Sequence, residues 1–162
     1  MKAITKLGGF AYGLALAVVA LDQAVKYWVV HIAQLPLRPS QPLIWPVQLS
    51  YVQNFGVSFG LFQGEASIVR WGLTAFSLIV SAWLIHLARK PESRLTALGL
   101  GLIIGGAVGN AIDRARLGYV IDFIDVQKLG FFPWVFNVAD SAITVGVISW
   151  LVVELLRREQ PA

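Results

Sequence analysis

Residues 133–158 read PWVFNVADSAITVGVISWLVVELLRR, and from Val135 onward the stretch is mostly apolar. As a helix it is long enough to cross the hydrocarbon core of a bilayer, which takes about 20 residues. Asn137 and Asp140 stand near its beginning, and Arg157 and Arg158 close it. A carboxylate in an apolar span costs about 2.5–3.5 kcal/mol at mid-helix and less towards the interface, so Asp140 needs a reason. One reason is capping. Asn137 or Asp140 can accept hydrogen bonds from the free N–H groups of the first turn, where the helix dipole also favours an anion.

The rest of the chain places this stretch in a membrane protein. Its 162 residues are 57% hydrophobic and only 14% charged, and the mean hydropathy is +0.69, outside the usual balance of a soluble domain. Four apolar runs, approximately 7–33, 66–88, 95–112 and 135–156, predict a mainly α integral membrane fold with four transmembrane helices in one domain covering residues 1–162. The first run follows Lys2 and Lys6 and contains ALAVVA, as a cleaved signal peptide does. Its apolar residues nevertheless continue through Ile32, which makes a span of full length. Asp22 and Lys26 lie four apart within it, on one face, where they can pair or point into the bundle.

Behind the net charge of +4, seven of the 13 Lys and Arg cluster at span ends: Lys2 and Lys6, then RKPESR at 89–94, then Arg157 and Arg158. That is an orientation signal rather than a phosphate-binding stripe, and it argues against nucleic acid as a partner. It places both termini and the turn between the second and third spans in the cytoplasm, leaving residues 34–65 and 113–134 outside. Proline breaks no span interior. Alternating VQLSYVQ at 47–53 and the looser YVIDFID at 119–125 predict short strands, hence a small extracytoplasmic β-sheet platform. Trp45, Tyr51, Phe55, Phe59, Phe62, Phe131, Phe132 and Trp134 flank those strands and are expected to anchor at the lipid headgroups. Gly101, Gly105 and Gly109, at intervals of four, share one face of the third span and let another helix come close.

Polar residues crowd one rim, in QNFGVSFG at 53–60, GNAIDR at 109–114, and the carboxylate segments VIDFID and FNVAD. A transporter would rather place such groups near the bilayer midplane. Asn110, Asp113 and Arg114 end the third span within reach of one another, and an Asp113 to Arg114 charge balance is their plain structural reading. Asp122, just after that span, and Asp140, at the start of the next, fall at one depth. Two carboxylates brought close do not both ionise readily; one holds a proton, and the pair can deprotonate a water while protonating a leaving group. Capping and catalysis are compatible for Asp140, because the dipole that favours it as an anion keeps one member of the pair charged. Asp125 competes with Asp122: on an extended strand the two point to opposite faces, and spacing alone does not choose.

Other chemistries fare worse. GVSFG at 56–60 matches G-x-S-x-G, but a serine hydrolase using Ser58 needs a base, and of the two histidines only His31 lies on the outer side, His86 being at the cytoplasmic end. A Ser58 and Lys26 pair meets competition from Asp22. Cysteine is absent, which excludes thiol catalysis and thiolate metal sites, and no H-E-x-x-H pattern occurs. A non-enzymatic four-helix scaffold is the remaining alternative, and it leaves the aspartates and asparagines unexplained.

Taken in order, D-Q-x-x-K at 22–26, N-x-G-x-S-F at 54–59, G-N-x-x-D-R at 109–114, V-x-D-F at 120–123 and F-N-x-A-D-S at 136–141 resemble the motifs of lipoprotein signal peptidase, or signal peptidase II. The resemblance spans nearly the whole chain. It implies a bacterial inner-membrane aspartyl endopeptidase that cuts prolipoproteins before a diacylglyceryl-modified cysteine, with its active site near the outer face. It further implies Asp122 and Asp140 as the catalytic pair, which chooses Asp122 over Asp125. Asn54, Asn110, Arg114, Asn137 and Asp22 are then expected to hold the substrate or the pair, with Asp113, Lys26 and the three glycines structural. No metal or organic cofactor is required by that chemistry. The expected partners are the lipidated substrate and membrane lipid, with the chain acting as a monomer.

Overall fold

The computed structural model describes residues 3–56, 66–131 and 134–158. Four long helices, α1 (Lys6–Tyr27), α2 (Ala66–Leu87), α3 (Arg94–Leu117) and α4 (Val138–Arg158), are each long and apolar enough to cross a membrane. Ser58, Phe59, Phe62 and Phe132 lie outside the described residues.

Helix α3 is the centre of the bundle. In its most apolar stretch 67% of residues are buried inside the protein, against 28%, 17% and 11% in the other three spans, whose outward faces are left for lipid. Glycine makes this central place possible by letting backbones approach. Gly101 and Gly105 face α1, where an added Cβ would stand 2.7 Å from the Ala11 and Ala15 carbonyl oxygens respectively. On another face Gly99 meets the backbone of α4 at Gly146. Ala11, Ala15, Leu84, Ala88, Ala97, Leu100, Ile103 and Ile104 fill the rest of this core.

Helix ends follow local chemistry. Thr5 caps α1 and Ser93 caps α3, each side-chain oxygen accepting a hydrogen bond from the N–H three residues on. Gly118 ends α3 in the left-handed region, at φ 89°, where glycine alone is unstrained. Helix α3 thus runs to Leu117 rather than stopping near residue 112, because Asn110 and Asp113 are buried within the protein instead of meeting solvent. Helix α1 passes into a π-helical turn, Trp28–Ile32.

The sheet has four antiparallel strands in the order β1 (Gln41–Ile44), β2 (Val47–Asn54), β3 (Val120–Asp125) and β4 (Val135–Phe136). The two central strands are those the alternation predicts. The edge strands are not, being short and, at β1, interrupted by a proline. Residues 135–136, expected to open the fourth span, instead pair with Asp125 and Ile124, and α4 begins only after Asn137. Strand β3 is buried along almost its whole length, and Ile121 and Phe123 pack with Val29 and Leu35 beneath the end of α1. Trp45, Phe55, Phe131 and Trp134 are exposed, as interface anchors must be, whereas Tyr51 is half-buried and its hydroxyl shares a 3.1 Å hydrogen bond with that of Tyr119. Burial and that bond raise the Tyr51 hydroxyl to about 12.

Candidate active site

Where the sheet meets the bundle, Asn137 is both a helix cap and a link between two carboxylates. It precedes α4 and is fully buried. Its Oδ1 accepts a 2.9 Å hydrogen bond from Asp140 N, and its own N–H donates to Asp140 Oδ2 at 3.3 Å. This is a reciprocal capping box, with Asn and Asp in place of the usual Ser and Glu. Asn137 Nδ2 meanwhile donates to Asp122 Oδ1 at 2.7 Å. One side chain therefore contacts Asp122 while its backbone contacts Asp140. Asn110 completes the connection from α3: its Nδ2 donates to Asp140 Oδ1 at 2.7 Å, and its Oδ1 accepts from Asn137 Nδ2 at 3.2 Å.

Asp122 is held from the sheet side as well. Its backbone is opposite Val52 on β2, and Asn54, at the end of β2, donates from Nδ2 to Asp122 Oδ2 at 2.9 Å. Asn54 Oδ1 accepts from Gly56 N at 2.8 Å, closing a turn in which Gly56 has φ 80°. Burial and the nearby charge of Asp140 raise the Asp122 carboxyl to about 6, against the pull of the Asn54 and Asn137 hydrogen bonds and of Lys26. Asp125 is different. Burial would raise it, but hydrogen bonds from Ser50, the Gln127 N–H and Gln48, with the charge of Lys128, hold it below the ordinary carboxylate range. It closes the turn after β3 and makes none of the contacts that tie Asp122 to Asp140.

Beneath this pair lies a buried ionic cluster. Lys26 Nζ stands 2.8 Å from both Asp22 Oδ2 and Asp113 Oδ2, and the three side chains are almost wholly buried. Asp113 is thus balanced by Lys26, not by Arg114 as their adjacency suggests. The cause is geometric, since consecutive helical residues point about 100° apart and cannot both face α1. Asp22 Oδ1 accepts from Ala139 N at 3.0 Å, so the first turn of α4 is capped from α1 as well as by Asn137. An added Cβ at Gly109 would stand 2.8 Å from Asp22 Oδ2, which explains the third glycine: it makes room for a carboxylate rather than for backbone.

Arg114 is half-buried beside this region. Among the carboxylates it is influenced most by Asp140, then by Asp122 and Asp113, and its Nε is buried with no hydrogen-bond partner among the described residues. Gln23, present in the sequence only as part of D-Q-x-x-K and given no role there, links the cluster by donating to Asp113 Oδ1 at 2.9 Å, to Asp22 Oδ2 at 3.2 Å and to the Gly109 carbonyl at 3.3 Å. Its signal was an amide beside an aspartate inside an apolar span.

Substitution of Asn137 tests the link. Asn137→Ala is expected to destabilise the protein by about 1–2 kcal/mol through the lost cap. It is also expected to slow peptide cleavage by about 100-fold, because Asp122 loses the Nδ2 hydrogen bond and Asn110 loses its partner, while the backbone bond to Asp140 is kept. Thermal unfolding in detergent alongside single-turnover cleavage separates the two effects. Asn137→Ser, which keeps the cap but not the amide, should recover stability and not rate.

Fold and site together describe a multi-pass membrane protein whose two linked carboxylates stand where a helix bundle meets a small antiparallel sheet. The chain belongs to the signal peptidase II family: the model described as Signal peptidase (SPase) II matches residues 14–157, so this is a protease. It is 46% identical over 157 residues to the lipoprotein signal peptidase of Caulobacter vibrioides, covering 96% of this chain and 92% of that one. The lipoprotein signal peptidase of Methylobacterium sp. strain 4-46 is 44% identical over 138 residues, covering 85% of this chain and 84% of that one. Among solved structures, a bacterial membrane enzyme determined by the in meso method at 2.3 Å resolution superposes with a TM-score of 0.77 at 26% identity, over 100% of this chain and 99% of that one.

Proposed function

We propose that this chain is an aspartyl endopeptidase that removes signal peptides from diacylglyceryl-modified prolipoproteins, cutting before the lipidated cysteine, with Asp122 and Asp140 as its catalytic pair. The observation that carries the reading is Asn137, which hydrogen-bonds both carboxylates while capping the helix that bears one of them. Family membership supports the substrate class.

In the proposed reaction Asp140 starts charged, at a helix N-terminus that favours an anion, and Asp122 starts protonated. Water attacks the scissile carbonyl carbon as its proton passes to Asp140, and Asp122 donates its proton to the carbonyl oxygen. The resulting gem-diol then collapses. The C–N bond breaks, the amine nitrogen takes the proton from Asp140, and one diol hydroxyl returns a proton to Asp122. No covalent enzyme intermediate forms. Arg114 and Asn54 flank the pair and hold the substrate backbone or the carboxylates. Asp113, Lys26 and Gly109 support the site from beneath.

The chain works as a monomer in the bacterial inner membrane, with both termini cytoplasmic and the pair near the outer face. Basic span ends support that orientation. A lipid-anchored substrate arrives by lateral diffusion and presents its scissile bond at a fixed depth, which suits a site at the rim of the bundle. The decisive assay offers purified protein one prolipoprotein in two forms, with and without the diacylglyceryl group. Cleavage of the modified form at a rate at least about 100-fold higher is expected. Equal cutting of both forms would overturn the substrate assignment.

A further inference from the structure

At the end of the bundle away from the sheet, the first turns of α1 and α3 enclose a groove of about 630 Å³ lined by Lys6, Leu7, Phe10, Arg94, Leu95 and Leu98. Its floor is apolar and opens outward: Phe10 is 49% and Leu95 38% exposed. Its two polar side chains are both cations, and both are exposed. Neither makes an ion pair among the described residues, and neither first turn contains an acidic residue. Glu92, in the turn just before α3, is already engaged by Arg157 at 2.6 Å. The mouth of the groove is therefore positive, without a carboxylate among the described residues to balance it.

An apolar floor beneath two unpaired cations on a membrane-spanning bundle complements an amphiphile with an anionic head. A zwitterionic head carries its own cation to the same place, and free phosphate leaves the floor uncovered. We propose that this groove binds an anionic glycerophospholipid, with its phosphate between Lys6 and Arg94 and one acyl chain along Phe10, Leu95 and Leu98. Basic clusters between spans are suited to such heads, each cation near the surface adding about fivefold to the preference. The lipid would bridge α1 and α3 at the opposite end from the carboxylates, and its binding is separable from cleavage.

The test is native mass spectrometry of the full chain released from membranes containing equal amounts of dioleoylphosphatidylglycerol and dioleoylphosphatidylcholine. The native chain should retain the former preferentially. K6Q and R94Q should each reduce that preference about fivefold, the double variant should lose about 25-fold, and K6R should keep it. Because both side chains are exposed, unfolding temperature and cleavage should not change. Leu98→Trp, which fills the floor and leaves both cations, should also exclude the lipid. Equal retention of the two lipids by the native chain, an undiminished preference in the double variant or in Leu98→Trp, or displacement by millimolar inorganic phosphate would each overturn the proposal.

Discussion

Asp122→Asn and Asp140→Asn chains are expected to insert and fold yet to cleave lipidated prolipoprotein at least about 10³-fold more slowly than the native chain, while Asp125→Asn stays within about threefold. The contrast follows from where the three carboxylates stand. Asp122 and Asp140 share Asn137, whereas Asp125 is spent on Ser50, Gln48 and the turn at Gln127. An amide at position 140 can neither take a proton from water nor return one to the leaving nitrogen, and an amide at position 122 can neither protonate the carbonyl oxygen nor take a proton back from the diol. Folding can be told apart from chemistry. A carboxyl raised to about 6 by burial and by Asp140 contributes stability in full below its unfolded value near 4, and loses that contribution as pH rises through 6. Above pH 6, where native Asp122 is a buried charge and the amide is not, the Asp122→Asn chain should therefore be at least as stable as the native protein. If it cuts at the native rate, the pair is not catalytic.

The same shift sets a pH dependence. With Asp122 required in its protonated form, kcat/KM of the native chain should descend as pH rises through about 6, reporting the free enzyme. The descending limb of kcat should lie at higher pH, because a bound substrate excludes more water and further disfavours the charged form. Both limbs are macroscopic properties of the pair, measured as rate against pH at saturating and at limiting substrate.

The largest effect on stability is expected at Lys26. Lys26→Met leaves Asp22 and Asp113 facing each other with relative exposures of 0% and 3% and no counter-charge between them. Breaking one side of a buried ionic group costs about 3–5 kcal/mol, mostly the cost of the stranded charge rather than the loss of attraction. Cleavage should fall too, since Asp22 also caps α4 through Ala139 N and so positions the helix that carries Asp140. Adding Asp22→Asn and Asp113→Asn to Lys26→Met should restore most of the stability, because neutral amides of the same shape need no counter-ion. Denaturant unfolding in detergent micelles compares both variants with the native chain. A single variant as stable as the native chain would mean that Lys26 balances nothing of consequence.

Arg114 shows why adjacency in the chain is a poor guide to pairing. It stands next to Asp113, yet Asp113 turns to Lys26 across the bundle and Arg114 is left beside the carboxylate pair with its Nε unmatched among the described residues. Charges one residue apart on a helix diverge, whereas charges on two helices meet if small residues allow the helices to approach. Here glycine on α3 allows it, at Gly101 and Gly105 for backbone and at Gly109 for Asp22.

Some features were determined by sequence alone because their physics is one-dimensional. Span length is set by bilayer thickness and strand character at β2 and β3 by alternation, so each is legible over a few consecutive residues. The order of the polar motifs was legible in the same way. Tertiary structure alone decided that α3 is the buried centre, that residues 135–136 form an edge strand before α4, and that Lys26 serves two aspartates. It also decided that Asn137, an ordinary cap by sequence, contacts Asp122 through its side chain and Asp140 through its backbone. These depend on which faces of distant segments meet, and a buried polar group takes whichever partner packing brings within about 3 Å, at any separation along the chain.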